Sequence, residues 1–165
     1  MLVAGKPNRV TGRGADRIRL LARTNRGEGL GEVGQIASGG EKSRIFLGLS
    51  VLQRQGTRPP VQLFDEIDAG LGMDNAVPVA ALLGELAKSG QVVCITHLPT
   101  VAARGDHHLK VAKTVVDGRT SLRVVPVPGE ARVEEIARLL GGAKSGGQKG
   151  VEQQVAYARQ LLAKG

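Results

Sequence analysis

The clearest indication of the fold comes from the stretch VQLFDEID, residues 61–68, in which a short apolar segment runs directly into acidic residues. This pattern is typical of a buried strand whose carboxyl end lies at the edge of a sheet, where α/β proteins bind ligands. Asp65 and Glu66 are therefore candidates to hold Mg²⁺ and to polarise an attacking water in phosphoryl transfer. The alternative is a solvated acidic turn, which the clustering of three acids in a basic chain weakens.

Helices and strands alternate around this stretch. Apolar residues at helical spacing predict one helix from Glu41 to about Arg54 and another over VPVAALLGELAK. QVVCIT, residues 91–96, is a second buried strand, and HHLKVAKTV and TSLRVVPV form a hairpin around the turn DGRT. The order strand, helix, strand, helix, strand implies parallel pairing with right-handed crossovers. The expected fold class is α/β, a mostly parallel sheet flanked by helices plus a β-hairpin.

The chain divides into three expected parts. Residues 1–16 have no sustained period and are expected to be a flexible lead-in. The folded part spans 17–142; within it RIRLLART (17–24) is a strand candidate, NRGEGLGEVGQ (25–35) a loop and ARVEEIARLL an amphipathic helix. Residues 143–165 comprise a Gly/Lys linker, which is most of the stretch GGAKSGGQKG (141–150), and a last helix.

Composition limits the possible functions. The net charge of +8 permits nucleic-acid binding, but the 23 basic residues are spread along the chain. Aromatic residues are 2% of the chain, which argues against base stacking as the binding mode. The single cysteine, Cys94, excludes an internal disulfide, suits a reducing cytoplasm and is expected to be a buried strand thiol. No apolar run approaches the length of a membrane span and no signal peptide is evident, so no membrane partner is expected.

A second motif, IASGGEKSR (residues 36–44), places two glycines at the start of a predicted helix. Ser38, Gly39 and Gly40 would lie at the positive end of that helix, where free N–H groups can bind phosphate. The alternative is an N-cap serine with a glycine turn, which these residues by themselves favour.

His97 directly follows the strand QVVCIT. If the two apolar strands are neighbours, His97 emerges at the same edge as Asp65 and Glu66 and can hydrogen-bond a terminal phosphate. A single histidine at a strand end is more often structural. His107 and His108 are interpreted as surface or packing residues, because no metal-ligand spacing surrounds them.

Taken together, ASGGEKSR, FDEIDAGLG and THLPTVAARGDHHLKV resemble the ABC-type ATPases of DNA metabolism. The later ARVEEIARLLGG resembles the RecN family, the SMC-like DNA-repair ATPases of bacteria. The resemblance covers roughly Ile18 to Gly142 and implies part of an ABC-ATPase head. Transporter ATPases, a further alternative, more often have D-E-P-T where this chain has Asp65-Glu66-Ile67-Asp68.

The resemblance also implies roles in ATP hydrolysis. Asp65 would be the Walker B magnesium ligand, Glu66 the catalytic base, and His97 the switch histidine that senses the γ-phosphate. The signature loop, which contacts ATP held by the opposite head of a dimer, would comprise Ser38, Gly39, Gly40 and Glu41. The D-loop, which crosses the dimer interface, would comprise Asp68, Ala69, Gly70, Leu71 and Gly72.

The chain departs from this family in lacking a G-x-x-x-x-G-K-[ST] phosphate loop and a long heptad segment, and Thr100 stands where glutamine is expected. We therefore expect the C-terminal lobe of a head, lacking the P-loop lobe and inactive by itself. Its expected cofactors are ATP and Mg²⁺. The expected partners are an N-terminal P-loop lobe, a second head in a homodimer and, for the full-length protein, DNA at the nucleoid of the bacterial cytoplasm. The alternative function is a non-catalytic, basic DNA-binding scaffold lobe, against which the presence of Glu66 argues.

Overall fold

The computed structural model describes residues 10, 12, 14, 18–23, 27, 29–53, 59–116, 119–141 and 147–164. The strands in these ranges are β1 (Leu21–Ala22), β2 (Gly31–Glu32), β3 (Val61–Phe64), β4 (Gln91–Cys94), β5 (Leu109–Val116) and β6 (Arg119–Pro126). The helices are α1 (Val33–Ile36), α2 (Gly39–Leu52), α3 (Met73–Ala87), α4 (Pro99–Ala102), α5 (Glu130–Leu139) and α6 (Gly147–Ala163).

The centre of the fold is the unit β3–α3–β4. The two strands pair in parallel, with Phe64 opposite Cys94, so both strands end at the same edge. Helix α3 covers one face of the pair with residues at helical spacing that are all buried, namely Ala76, Val79, Ala80, Leu83 and Leu86. Parallel pairing of the two apolar segments, and with it the α/β character of this region, is confirmed.

One hydrophobic core lies between this unit and α2. It contains Leu47 of α2, Phe64 of β3, Ile67 of the following turn and Val101 of α4. Ile67 is fully buried, so the acidic turn after β3 is anchored by an apolar side chain in its middle. Burial of Ile67 therefore helps to define where the neighbouring carboxylates lie.

The expectation of a mostly parallel sheet is wrong for the described residues. Their strands form three separate two-stranded sheets, and β3–β4 alone is parallel. Strands β1 and β2 are two residues long and antiparallel, and β5 pairs with β6 along its whole length in an antiparallel hairpin. The hairpin satisfies its backbone hydrogen bonds locally, because its two strands are consecutive in the chain and pair with each other.

Several element boundaries also differ from the expectations. Of the described residues of the predicted strand 17–24, two are paired, and the predicted loop 25–35 contains β2 and most of α1. Helix α6 starts at Gly147, inside the predicted linker, because its packing against α5 outweighs the low helix propensity of glycine. The lead-in 1–16, apart from residues 10, 12 and 14, lies outside the described residues, as does the hairpin turn at Asp117 and Gly118.

A second core joins the C-terminal helices to α4. It consists of buried residues from α5 and α6 together with Ala103 at the end of α4. Arg132 of α5 donates to the carbonyl oxygens of Ala103 and Gly105. The buried Glu135 carboxylate accepts hydrogen bonds from Lys110 and Arg138.

None of the helices in the described ranges is long and apolar enough to cross a membrane.

Adjacent residues of β3 provide a test of which face of the parallel pair is covered. Phe64 is 1% exposed and Leu63 is 61% exposed. We expect Phe64→Ala to lower the free energy of unfolding by about 3–5 kcal/mol, because it leaves a cavity. Leu63→Ala should cost less than about 1 kcal/mol, because little buried area is lost. Urea denaturation of the two variants measures both values, and equal losses would contradict the assignment of faces.

Candidate functional site

Helix α2 begins with a capping box. The Ser38 hydroxyl oxygen accepts a hydrogen bond from the Glu41 N–H at 3.4 Å. The Glu41 carboxylate accepts two hydrogen bonds, from the Ser38 hydroxyl and from the Ser38 N–H, each at 2.8 Å. The hydrogen bonds from the backbone and side chain of Ser38 lower the pKa of Glu41. The N-cap interpretation of Ser38 is confirmed, and contact of this loop with phosphate stays a prediction.

The two glycines after Ser38 lie against the turn that follows β3. A Cβ atom on Gly40 would lie 2.9 Å from the carbonyl oxygens of both Glu66 and Ala69, closer than real Cβ contacts. A Cβ on Gly39 would lie 2.8 Å from the Glu66 carboxylate oxygen Oε2. The chain therefore needs glycine at position 40 for its own packing, apart from any ligand.

Two residues of α2 that sequence reasoning did not select hold this turn in place. The Ser43 hydroxyl donates to the Asp65 carbonyl oxygen at 2.9 Å. The Arg44 guanidinium donates to the carbonyl oxygens of Ile67 at 3.1 Å and Ala69 at 3.0 Å. Ser43 and Arg44 follow Gly40 by three and four residues and so share its helix face, which is the signal that identifies them.

The acid pair itself is exposed and has an uncommon backbone conformation. Glu66 has φ of +55°, in the left-handed region that costs a non-glycine residue about 1–2 kcal/mol. Its N–H donates to Asp65 Oδ1 at 2.9 Å, which orients the Asp65 carboxylate. Strain of this kind concentrates at functional sites, and it is consistent with selection of Glu66 for a role other than stability.

Asp65 fits the coordination that Mg²⁺ prefers. Mg²⁺ usually takes one or two carboxylates, with waters and substrate phosphates completing the octahedron. Asp65 is an exposed and oriented carboxylate of this kind. Within the described ranges, no three His, Cys, Asp or Glu side chains are grouped so that they could hold a metal ion.

Asp68 differs from the other acids because it is buried. Its Oδ2 accepts hydrogen bonds from the Thr96 hydroxyl and from the N–H groups of His97 at 2.8 Å and Leu98 at 3.2 Å. Burial alone would raise the pKa of Asp68, but the hydrogen bonds from Thr96 and His97 lower it overall. His97 Nδ1 lies 3.1 Å from the same oxygen.

The remaining residues of the expected D-loop form a compact turn. The Ala69 N–H donates to the Glu66 carbonyl oxygen and the Leu71 N–H to that of Asp68, each at 3.0 Å. Gly70 has φ of +73°, and Gly72 is the N-cap of α3. The turn thus leads directly from the acid pair into the helix that covers β3 and β4.

Cys94 and the other histidines have no evident role in this site. Burial raises the pKa of the Cys94 thiol to about 12, and the carboxylates of Asp68 and Asp65 add to the rise, so the thiol is not a nucleophile at neutral pH. His107 is exposed and His108 is half-buried, in agreement with the surface and packing interpretation.

Three separate parts of the sequence therefore meet at the end of β3. The start of α2 packs on the turn 65–69, and Asp68 of that turn binds the segment 96–98 after β4. His97 contacts the turn through Asp68. The common edge predicted for His97 and the acid pair is confirmed by the parallel register of β3 and β4.

Known proteins are similar to this chain in sequence. "DNA repair protein RecN" of Deinococcus radiodurans is 44% identical over 150 residues, covering 91% of this chain and 25% of the relative. "DNA repair protein RecN" of Vibrio cholerae is 40% identical over 149 residues, covering 90% of this chain and 26% of the relative. The resemblance to RecN is confirmed.

The RecN-like chain spans about a quarter of the length of the curated relatives that it matches. No protein-family model matches it. A solved structure from work on "ATP-driven dimerization and DNA stimulated activation of SMC ATPases" is 28% identical, covers 73% of this chain and 70% of that chain, and has a TM-score of 0.49.

Two glycines of α2 test whether intrachain packing requires Gly40. Alanine in place of glycine normally stabilises a helix by roughly 0.5–1 kcal/mol. Gly48→Ala should do so, because a Cβ there meets no atom within 4 Å. Gly40→Ala should instead destabilise by about 1–3 kcal/mol, because two backbone oxygens must shift. Equal stabilisation in thermal unfolding would show that packing does not require Gly40.

His108 should make stability depend on pH. Burial, together with the charge of Arg132, lowers the pKa of His108. Below its ordinary pKa of about 6.5, the unfolded chain takes up a proton that the folded chain resists. Stability should therefore fall as the pH drops from about 7 to 5.5, and His108→Gln should reduce the slope. His107→Gln is the control, and an unchanged slope in His108→Gln would overturn the assignment.

Proposed function

We propose that this chain is the C-terminal lobe of the ATPase head of a RecN-like DNA-repair protein, with residues 17–142 as the lobe and 143–165 as a linker and terminal helix. The observation that carries the proposal is the direct packing of the SGGE helix start on the DEID turn, with Asp68 linking that turn to His97. The 38–44% identity to proteins named DNA repair protein RecN supports it.

Each motif would have one role in hydrolysis. Asp65 would hold Mg²⁺, which when bound neutralises charge on the phosphates. Glu66 would accept a proton from the attacking water, because its carboxylate is exposed and adjacent to Gly39. His97 would bind the γ-phosphate. The signature loop would contact ATP held by a second head, through the N–H groups at the start of α2.

The uncovered face of β3 and β4 would bind the P-loop lobe. Val61 and Leu63 of β3 lie on one side of the parallel pair with Val93 of β4, and all three are exposed, as is Ile95 directly after β4. α3 covers the opposite side. Exposed apolar area of this kind usually marks an interface. A lobe that brings the phosphate loop and further strands would cover it and extend the sheet.

The whole protein would act as a dimer of heads in the bacterial cytoplasm. ATP held between two heads would bring them together, and hydrolysis would release them, which would couple nucleotide state to holding DNA at the nucleoid. DNA is a partner proposed from the relatives' name, DNA repair protein, and from the net charge of +8. The sequence contains no phosphate loop, so the isolated chain should have negligible ATPase activity.

The experiment is reconstitution of ATP hydrolysis. This chain is mixed with a separately produced P-loop-bearing lobe, and phosphate release is measured for the wild type and for Glu66→Gln. ATP hydrolysis should appear when the two lobes are mixed and should be absent from each lobe by itself. In the mixture, Glu66→Gln should lower the rate of hydrolysis by about 100-fold or more, because the general base is lost. Glu134→Gln removes an exposed carboxylate of α5 and should keep full activity.

The result also separates the two candidate functions. A folded mixture that binds DNA but hydrolyses no ATP would favour the scaffold lobe over the catalytic lobe. Activity that survives Glu66→Gln would reject Glu66 as the base.

A further inference from the structure

We propose that Asp68 is a positioning residue for His97, so that its carboxylate acts within this chain and does not reach across to a second head. The geometry of the two residues carries this inference. Its meaning for phosphate sensing rests on the proposed function.

A single oxygen of Asp68 organises the segment after β4. Oδ2 accepts hydrogen bonds from the Thr96 hydroxyl and from the backbone N–H groups of His97 and Leu98. The Leu98 N–H also donates to the Thr96 hydroxyl oxygen at 3.1 Å. Leu98 is the N-cap of α4 and makes no side-chain cap of its own, so Asp68 supplies the acceptor that this helix start otherwise lacks.

Burial keeps the carboxylate in this arrangement. The Asp68 side chain is 3% exposed, and its neighbour Ile67 is fully buried. Arg44 donates to the carbonyl oxygens on either side of Asp68, those of Ile67 and Ala69. A carboxylate held in this way cannot turn outward without leaving several buried donors unpaired, which is costly. The exposed residues Gly70 and Gly72 remain for contacts with another molecule.

The orientation of the His97 ring follows from the same oxygen. Nδ1 lies 3.1 Å from Asp68 Oδ2, while 70% of the His97 side chain is exposed. An ionised carboxylate accepts hydrogen bonds and donates none, so its position beside Nδ1 favours the tautomer that carries the proton on Nδ1. The lowered pKa of Asp68 agrees with an ionised carboxylate. Nε2 is then the ring nitrogen presented outward, in the position to meet a phosphate oxygen when protonated.

The tautomer of His97 tests this inference without nucleotide. In a long-range ¹H–¹⁵N spectrum of the 165-residue chain at a pH where the ring is neutral, His97 should carry its proton on Nδ1. His97→Gln assigns the signal, and His107 and His108 serve as internal references. A neutral His97 ring that is protonated on Nε2 in the wild-type spectrum would overturn the proposal.

A matched pair of variants tests the cause. Asp68→Asn should move the ¹⁵N shifts of His97 towards a mixture of tautomers, since an amide binds the three converging N–H and O–H donors less well. Asp74→Asn, an exposed acid in the first turn of α3, should leave the His97 shifts unchanged. Unchanged shifts in a folded Asp68→Asn variant would count against a positioning role.

The reconstituted head provides the functional readout. Asp68→Asn should lower kcat by about 10- to 100-fold, as losses of orienting partners do, with a smaller change in KM. If the wild-type mixture is inactive, the proposed function fails, while the tautomer still decides whether Asp68 orients His97. If kcat is unchanged in Asp68→Asn, the positioning role has no part in hydrolysis.

Discussion

The contact between the start of α2 and the turn after β3 is the constraint on which the site depends. Gly40, which has no side chain, lies against the carbonyl oxygens of Glu66 and Ala69. Arg44, on the same face of α2, donates hydrogen bonds to the turn. The helix start and the turn thus lie too close together for a side chain to fit between them at position 40. Since the turn also carries Asp68, the same contact extends to His97.

Much of the candidate site could be predicted from local patterns. The capping signal Ser38–Glu41, the apolar strand ending at Asp65 and the histidine after the next strand are all short-range features, and the structure has them where the pattern indicates. The tertiary contacts could not be predicted in this way. The requirement for glycine at position 40 arises from a turn more than twenty residues away, and no periodicity within α2 reports it.

Less of the fold than of the candidate site could be predicted from the sequence. Periodicity of apolar residues identifies a helix or a strand, but it does not show which face of that helix or strand is buried. The apolar residues Phe46, Leu49 and Leu52 of α2 have helical spacing, yet they are exposed while Leu47 and Ser50 pack inward. Likewise, the hairpin β5–β6 was evident from its alternation, but Val111, Leu122 and Val124 of its apolar face remain exposed. Alternation thus identifies the two strands of the hairpin but does not show whether its apolar face is buried.

The hydrogen bonds of the site have a consequence for folding. Ser43 is 22 residues from Asp65, Arg44 is 25 from Ala69, and Asp68 is 29 from His97. Contacts of such moderate separation close small loops, whose entropic cost is low, and they tend to form quickly. The hydrogen bonds of the site therefore form within residues 38 to 98 and require no contact from the hairpin or the C-terminal helices.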